Sequence, residues 1–283
     1  MILGLILALT SALGTNLSFL FKQRGAVLAP SIQVRHPARS AIDLFRSPWF
    51  ALGWMVALLA WILHVGALSL APLSTVQAIL SGGLVFLAVL AERFFGFRLG
   101  RRQWAGVTVT AAGLAVIGLT TTAAGPEHAS LAALIAIEGA ILAAGVFLVR
   151  LSTSVHLHDR PESLLLAAAA GALFGVSDVA VKYLTSAHGP FFGLLSPWTL
   201  TALVSFVISF YASARSLQLG SAVEVIAITS VVANLVAIIG GILVFGESVG
   251  SGTLAVIGRT LAFVSVIAGA ALMPAPIRAA KST

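Results

Sequence analysis

Residues 129–150, ASLAALIAIEGAILAAGVFLVR, form an apolar run whose only charged residues are Glu138 and the terminal Arg150. Their length is that of a membrane-spanning helix, which needs about 20 predominantly apolar residues. Eight further apolar runs of similar length occur in the chain, four before this one and four after it. The pattern predicts that residues 129–150 are an unmatched central helix between two sets of four.

The composition indicates a polytopic membrane protein. Of 283 residues, 59% are hydrophobic and 9% are charged, whereas about 25% are charged in an ordinary soluble domain. Continuous apolar runs favour helices over a transmembrane barrel, because barrel strands are short and alternate in hydrophobicity. We therefore expect an all-α integral membrane fold with nine transmembrane helices. The predicted spans are residues 2–21, 49–70, 74–94, 103–121, 129–150, 163–184, 197–218, 221–245 and 252–273.

The basic residues predict the orientation of the chain. Lys and Arg residues lie in or next to the connections after odd-numbered spans, and the connections after even-numbered spans contain none. The first connection is predicted to carry five of them, Lys22, Arg24, Arg35, Arg39 and Arg46. Because positive loops stay in the cytoplasm, this alternation predicts an N-out, C-in protein of the inner (plasma) membrane. It also accounts for the net charge of +7 without a nucleic-acid partner.

Several short segments recur in the two halves of the chain. Residues 67–77, ALSLAPLSTVQ, resemble 214–224, ARSLQLGSAVE, and the turn at 96–100 matches that at 246–250. Spans one to four therefore pair with spans six to nine, and the fifth span inverts the second copy. Inverted repeats are typical of secondary transporters with alternating access. Duplication in a passive scaffold is the alternative.

This repeat divides the chain into three parts: residues 1–122 as the first repeat, 123–162 as the inverting helix and linker, and 163–283 as the second repeat with a short tail. Both halves of a transport unit would then lie in one chain. A functional monomer is the resulting expectation, with a homodimer as the alternative.

Three stretches resemble the drug/metabolite transporter superfamily: residues 70–77, LAPLSTVQ; 91–106, AERFFGFRLGRRQWAG; and 245–249, FGESV. They are similar to its helix-ending Gly-Glu-Arg-Leu turns, and each half resembles a small multidrug resistance protein. The nine-span arrangement looks most like the EamA/NIPA branch, which includes magnesium transporters. This resemblance implies a transporter that works without ATP. Ser11 stands near the position of the proton-exchanging glutamate of small multidrug resistance proteins.

Five ionisable residues fall within the outer halves of the predicted spans: His64, Glu138, Asp178, Lys182 and Arg259. Each costs at least about 2.5 kcal/mol at the membrane centre, so each is a candidate functional group. Asp178 and Lys182 are four residues apart, a spacing that favours an ion pair. Arg259 needs an acid, either Glu138 or Asp178. The group either locks helices together or lines the path of the cargo.

Glu224 is the single residue that we expect to recognise solute, because its repeat mate is Gln77 and the two would face the site from both halves. A glutamate that reaches the headgroups is the alternative. Asn16 and Asn234 are weaker candidates, and hydrogen bonds between helices are the simpler interpretation for both.

No enzyme motif is evident. Cysteine is absent, and there is no nucleophile elbow, Walker loop or HExxH. The histidines at His156 and His158, with Asp159, are interpreted as a polar linker before Pro161 and not as a metal site. We therefore expect neither an enzyme nor a cofactor, and leave any metal site unassigned.

The main functional hypothesis is transport of a small polar or cationic metabolite or drug, driven by an ion gradient. The first alternative is NIPA-like movement of magnesium, held by Glu224, Asp178 and carbonyl oxygens. A second is a flippase for an anionic lipid headgroup that uses Lys182 and Arg259. A membrane-embedded enzyme and a non-transporting scaffold are the hypotheses from other classes.

Overall fold

The computed structural model describes residues 2–32, 37–94, 96, 98–120, 131–154, 159–187 and 196–246, and short helical pieces between 257 and 269. Helices account for the regular structure of these residues, which contain no strand. The all-α expectation is therefore confirmed for the described part of the chain. The helices are α1 (Ile2–Leu28), α2 (Pro37–Phe45), α3 (Pro48–Leu70), α4 (Leu73–Phe94), α5 (Arg101–Thr120), α6 (Leu131–Ser154), α7 (Asp159–Ala187), α8 (Pro197–Leu219) and α9 (Ala222–Phe245).

Seven of the described helices are long and apolar enough to cross a membrane, namely α1, α3, α4, α6, α7, α8 and α9. Helix α5 occupies the fourth predicted span but is not among the seven. The last predicted span, residues 252–273, lies largely outside the described residues. A multi-pass α-helical membrane protein is thus supported, and the count of nine spans stays a prediction.

The first connection is where the structure differs most from expectation. Helix α1 continues to Leu28, seven residues beyond the predicted end, so Lys22 and Arg24 lie within it and not in a connection. Residues 37–45, also predicted to be connection, form the short helix α2. Its Leu44 is fully buried, whereas the charged Arg39 is exposed. Helix α2 therefore has one buried apolar face and one exposed face, and its nine residues are too few for a membrane span.

Two glycines mark equivalent turns in the two predicted repeats. Gly96 has φ of 70° and Gly246 has φ of 62°, and they are the positive-φ residues of the described chain. Gly246 ends α9 as a left-handed cap, with its N–H donating to Gly241 O. A residue with a Cβ is strained in this conformation. The repeat alignment had matched these two positions.

Helix packing follows the same order in both halves. Helix α1 packs on α3 and α4, while α7 packs on α8 and α9, and α4 contacts α9 between the halves. Small residues permit the close approach of α7 and α9, since a Cβ on Gly171 would lie 2.5 Å from Thr229 O and one on Gly175 would lie 2.6 Å from Val236 Cβ. This close approach is the packing role that a pair of small residues four positions apart has in membrane helices.

Candidate functional site

A cavity of about 620 Å³ lies between α1, α3, α4, α7, α8 and α9. Most of its wall is apolar, and much of it is aromatic. The aromatic residues of the wall are Phe19, Phe50, Trp54, Trp61, Phe174, Phe206 and Phe210. Among its polar residues are Asn16, Lys22, His64, Gln77, Asp178 and Asn234. Five of the nine predicted site residues therefore share one cavity.

Asp178 is the centre of a polar network at one end of this cavity. Its Oδ1 lies 3.1 Å from His64 Nε2, and its Oδ2 accepts a hydrogen bond of 3.0 Å from Gln77 Nε2. An ionised carboxylate only accepts hydrogen bonds, so a bond from His64 to an ionised Asp178 requires the ring proton to be on Nε2. His64 and Gln77 are almost fully buried, whereas the Asp178 side chain is 21% exposed. The network joins α3, α4 and α7.

Two acceptor atoms in this network have no partner among the described residues. They are His64 Nδ1, an acceptor when the ring is neutral, and Gln77 Oε1. Asn16 Oδ1, further along the cavity wall, is a third buried atom of this kind. Buried polar atoms are normally satisfied, and unsatisfied ones require an explanation. All three atoms lie beside the cavity and leave hydrogen-bonding capacity unused among the described residues.

The two asparagines differ in their contacts. Asn234 Nδ2 donates to Ser81 Oγ at 3.0 Å, which links α9 to α4 as the sequence predicted. Ser81 Oγ in turn donates to Gln77 O. Asn16 Nδ2 donates instead to Ala12 O of its own helix. The interhelical bond predicted for Asn16 is thus absent among the described residues.

Lys182 lies near this network but does not line the cavity. Its ammonium donates to Leu68 O at 2.7 Å and to Ala71 O at 3.0 Å. Carbonyl groups at a helix C-terminus lack partners within the helix and carry partial negative charge, so a cation is favourable there. Lys182 therefore binds the end of α3 to α7. The predicted ion pair between Asp178 and Lys182 stays a prediction.

Glu138 and Glu224 are buried, at 2% and 4% exposed, and neither lines the cavity. Both carboxylate oxygens of Glu138 lack a hydrogen-bond partner among the described residues. Glu224 lies in the first turn of α9, where the helix dipole favours a carboxylate. Its proposed partnership with Gln77 across the site is thus not visible in the cavity wall. The role of Glu224 in solute recognition stays a prediction.

The remaining residues discussed from the sequence lie outside the described part of the chain. Arg259, His156 and His158 lie outside the described residues, and so does the side chain of Asp159. In the described part of the chain, no three His, Asp or Glu side chains are grouped as metal ligands.

The sequence interpretation missed Lys22, which it assigned to a cytoplasmic connection. Lys22 is only 9% exposed and lines the cavity at the end away from Asp178. The spacing of polar residues could have shown that Lys22 belongs to the first helix. Ser11, Ser18 and Lys22 are spaced by seven and four residues, so they share one face of a helix. All three are buried.

No family model matches the chain, and no solved structure does. It is similar to the Arabidopsis thaliana protein named "Probable magnesium transporter NIPA9", with 25% identity over 259 residues, 86% of this chain and 74% of the relative. It is also 28% identical over 257 residues to an uncharacterised protein of Corynebacterium glutamicum, covering 87% of this chain and 86% of that protein. With the seven apolar helices, these similarities support a multi-pass membrane transporter.

Proposed function

We propose that this protein is a secondary transporter that moves a small polar organic solute by alternating access through the cavity. The observation that carries the proposal is the cavity itself. A space of about 620 Å³, walled by aromatic side chains and holding one hydrogen-bonded carboxylate at its end, fits an organic molecule with a polar group. The polar group would be a hydrogen-bond donor, neutral or cationic, that faces Asp178.

The contacts of Asp178 suggest how binding would be coupled to movement. Asp178 belongs to the second predicted repeat, whereas its partners His64 and Gln77 belong to the first. A solute that donates to Asp178 competes with both partners and so weakens the connection between the halves. A ligand shifts a conformational equilibrium only through such differential contacts. The pair of bonds from Lys182 to the end of α3 connects the halves at the same end.

Counterflow into proteoliposomes tests the transport proposal. A panel of organic amines, amino acids and organic acids would be screened with the wild-type protein, with Asp178→Asn and with Asp43→Asn beside it. Asp43 is the matched control, because it is an acid of the short helix α2 that pairs with Arg46 and does not line the cavity. We expect Asp178→Asn to reduce flux at least about tenfold, the value of one charged hydrogen bond. Equal flux in the two variants, or no flux from folded wild-type protein, would refute the proposal.

Magnesium transport is the second candidate, and the similarity to the plant protein favours it. Magnesium is commonly held by one or two carboxylates while it keeps several waters. Asp178 is the carboxylate that lines the cavity among the described residues. The test is magnesium entry into proteoliposomes that contain a magnesium-sensitive dye. The organic-solute proposal predicts no saturable uptake, and uptake that is lost in Asp178→Asn and in Glu224→Gln would replace it with magnesium transport.

The proposed unit is a monomer of the inner membrane with two inverted repeats, N-out and C-in. The matching order of helix packing in the two halves and the paired turns at Gly96 and Gly246 support the repeats. Because the chain lacks cysteine, single cysteines report orientation directly. We expect an impermeant maleimide added to intact cells to label Ser196→Cys but not Pro30→Cys. The reverse labelling would invert the topology.

A further inference from the structure

Lys22 is a buried lysine in the wall of the cavity. The residue is 9% exposed, and its ammonium lies 3.9 Å from the ring centroid of Phe19 and 5.3 Å from that of Trp54. Two aromatic faces thus supply its immediate surroundings. Cation–π contacts stabilise an ammonium only in part.

The side chain does not reach out of the bundle. Lys22 is six residues before the end of α1, about 9 Å along the helix axis. Its ammonium lies over Phe19, one turn toward the helix N-terminus, and therefore points away from the nearer helix end. Gly53 of α3 lies against the lysine, since a Cβ there would be 2.7 Å from Lys22 Cγ. The stem is thus held in place, and the charge is directed along the cavity.

The described acids have other partners or lie elsewhere. Asp43 pairs with Arg46, Glu162 with Arg215, and Glu92 accepts from Leu99 N. Asp178 is bound by His64 and Gln77, and Glu138 and Glu224 are outside the cavity wall. In the part of the chain that the structure describes, no hydrogen bond or ion pair reaches the Lys22 ammonium. An ionisable group buried in a membrane helix without a partner is a candidate for function.

We propose that Lys22 binds the anionic group, a carboxylate or a phosphate, of the transported solute. This inference rests on the proposed function and narrows its substrate class to organic anions with an apolar body. The aromatic wall around Lys22, with Phe50 and Phe210 beside Trp54, provides the surface for that body. The anionic group of the solute would then pair with the Lys22 ammonium, which has no acidic partner among the described residues.

The distance between the ends of the cavity limits the solute further. Trp54, beside Lys22, and His64, beside Asp178, are ten residues apart on α3, which is about 15 Å along the axis. A short anion bound at Lys22 leaves the Asp178 network intact. A solute that engages both ends is elongated and carries its hydrogen-bond donor far from its anionic group.

The cavity also has a side opening through which such a molecule can enter. Leu58 and Trp61 of α3 and Leu203 of α8 line the cavity, yet they are 56%, 47% and 57% exposed. These helices are apolar membrane spans, so the opening faces the bilayer. The anion could therefore come from a free carboxylate or from a lipid headgroup, which share the same recognition chemistry.

Isothermal titration of the full chain in phosphatidylcholine nanodiscs tests the inference with three probes of one shape. The probes are 4-phenylbutyrate, 4-phenylbutanol and 4-phenylbutylammonium. We expect the wild-type protein to bind the carboxylate at least about tenfold more tightly than the alcohol, as one charged hydrogen bond provides. Lys22→Gln should lose this preference and Lys22→Arg should retain it. The control Arg24→Gln, which removes a cation 4.1 Å from the Trp49 ring and outside the cavity wall, should change nothing.

Each outcome of the titration decides the inference. Equal carboxylate affinity in wild type and Lys22→Gln overturns it, and so does the absence of carboxylate binding to the wild type. If Lys22→Gln does not fold, Lys22→Met, which keeps the length of the stem, takes its place. Carboxylate binding that disappears only in nanodiscs with phosphatidylglycerol supports an anion site filled by lipid. If Lys22→Gln transports a neutral or cationic solute at the wild-type rate, the proposed function stands and the anion site falls.

Discussion

The two ends of the cavity differ in whether their ionisable side chains have polar partners. At one end, Asp178 is held by His64 and Gln77, and nearby Lys182 donates to two carbonyl groups at the C-terminal end of α3. At the other end, Lys22 has aromatic rings as neighbours and no hydrogen bond or ion pair among the described residues. The first end is internally satisfied and joins helices. At the second end, the Lys22 side chain remains available to bind the anionic group of a solute.

The packing that holds the second end is the most sensitive point of this comparison. We predict that Gly53→Val destabilises the protein by about 3 kcal/mol, because overpacking of this degree forces helices apart. A Cβ there would lie 2.7 Å from Lys22 Cγ and 2.8 Å from Lys22 N. Gly82→Val is the control, since nothing lies within 4 Å of its added Cβ. Thermal unfolding in detergent measures both, and equal melting temperatures would contradict the close contact.

The two buried lysines give the next largest difference. We predict that Lys182→Met costs about 2 kcal/mol, because two charged hydrogen bonds to the end of α3 are lost. Lys22→Met should leave the melting temperature unchanged or raise it, since it removes a buried charge that has no polar partner among the described residues. Both variants replace lysine by methionine, so a difference between their melting temperatures reflects the different surroundings of the two lysines. A larger loss for Lys22→Met would show that Lys22 is structural and not free for a ligand.

The contrast between the ends also explains what the sequence could predict. An ionisable residue in the middle of an apolar run is conspicuous, and Asp178, His64 and Lys182 were identified in this way. The hydrogen-bond partner of each residue depends on how the helices pack against one another. The spacing of residues within one helix does not predict that packing. Lys22 was missed because hydropathy falls at Lys22, Gln23 and Arg24, so the span was ended early. The helix continues because its buried face, with Gly25 against Phe50, still has α3 to pack on.

The short helix α2 was missed for a related reason. Its nine residues contain a proline, an arginine and an aspartate, which are typical of a connection. Its apolar residues find packing partners only in the folded protein. The ring centroid of Phe45 lies 5.3 Å from that of Phe50 and 6.4 Å from that of Phe210. Helix α2 therefore covers the Lys22 end of the cavity with an aromatic cluster. The hydropathy of a short segment does not reveal contacts with residues that are distant in the chain.

The smallest predicted effect separates the two asparagines along the middle of the cavity. Asn234→Ala removes an interhelical hydrogen bond to Ser81, which is worth about 0.6 kcal/mol on average in membrane proteins. Asn16→Ala removes only a bond within α1, and it also removes a buried oxygen that has no partner among the described residues. We therefore expect Asn234→Ala to lower the melting temperature slightly and Asn16→Ala to leave it unchanged. If Asn16→Ala is the more destabilising, its oxygen has a partner in the membrane, and Asn16 belongs with the structural groups of the Asp178 end.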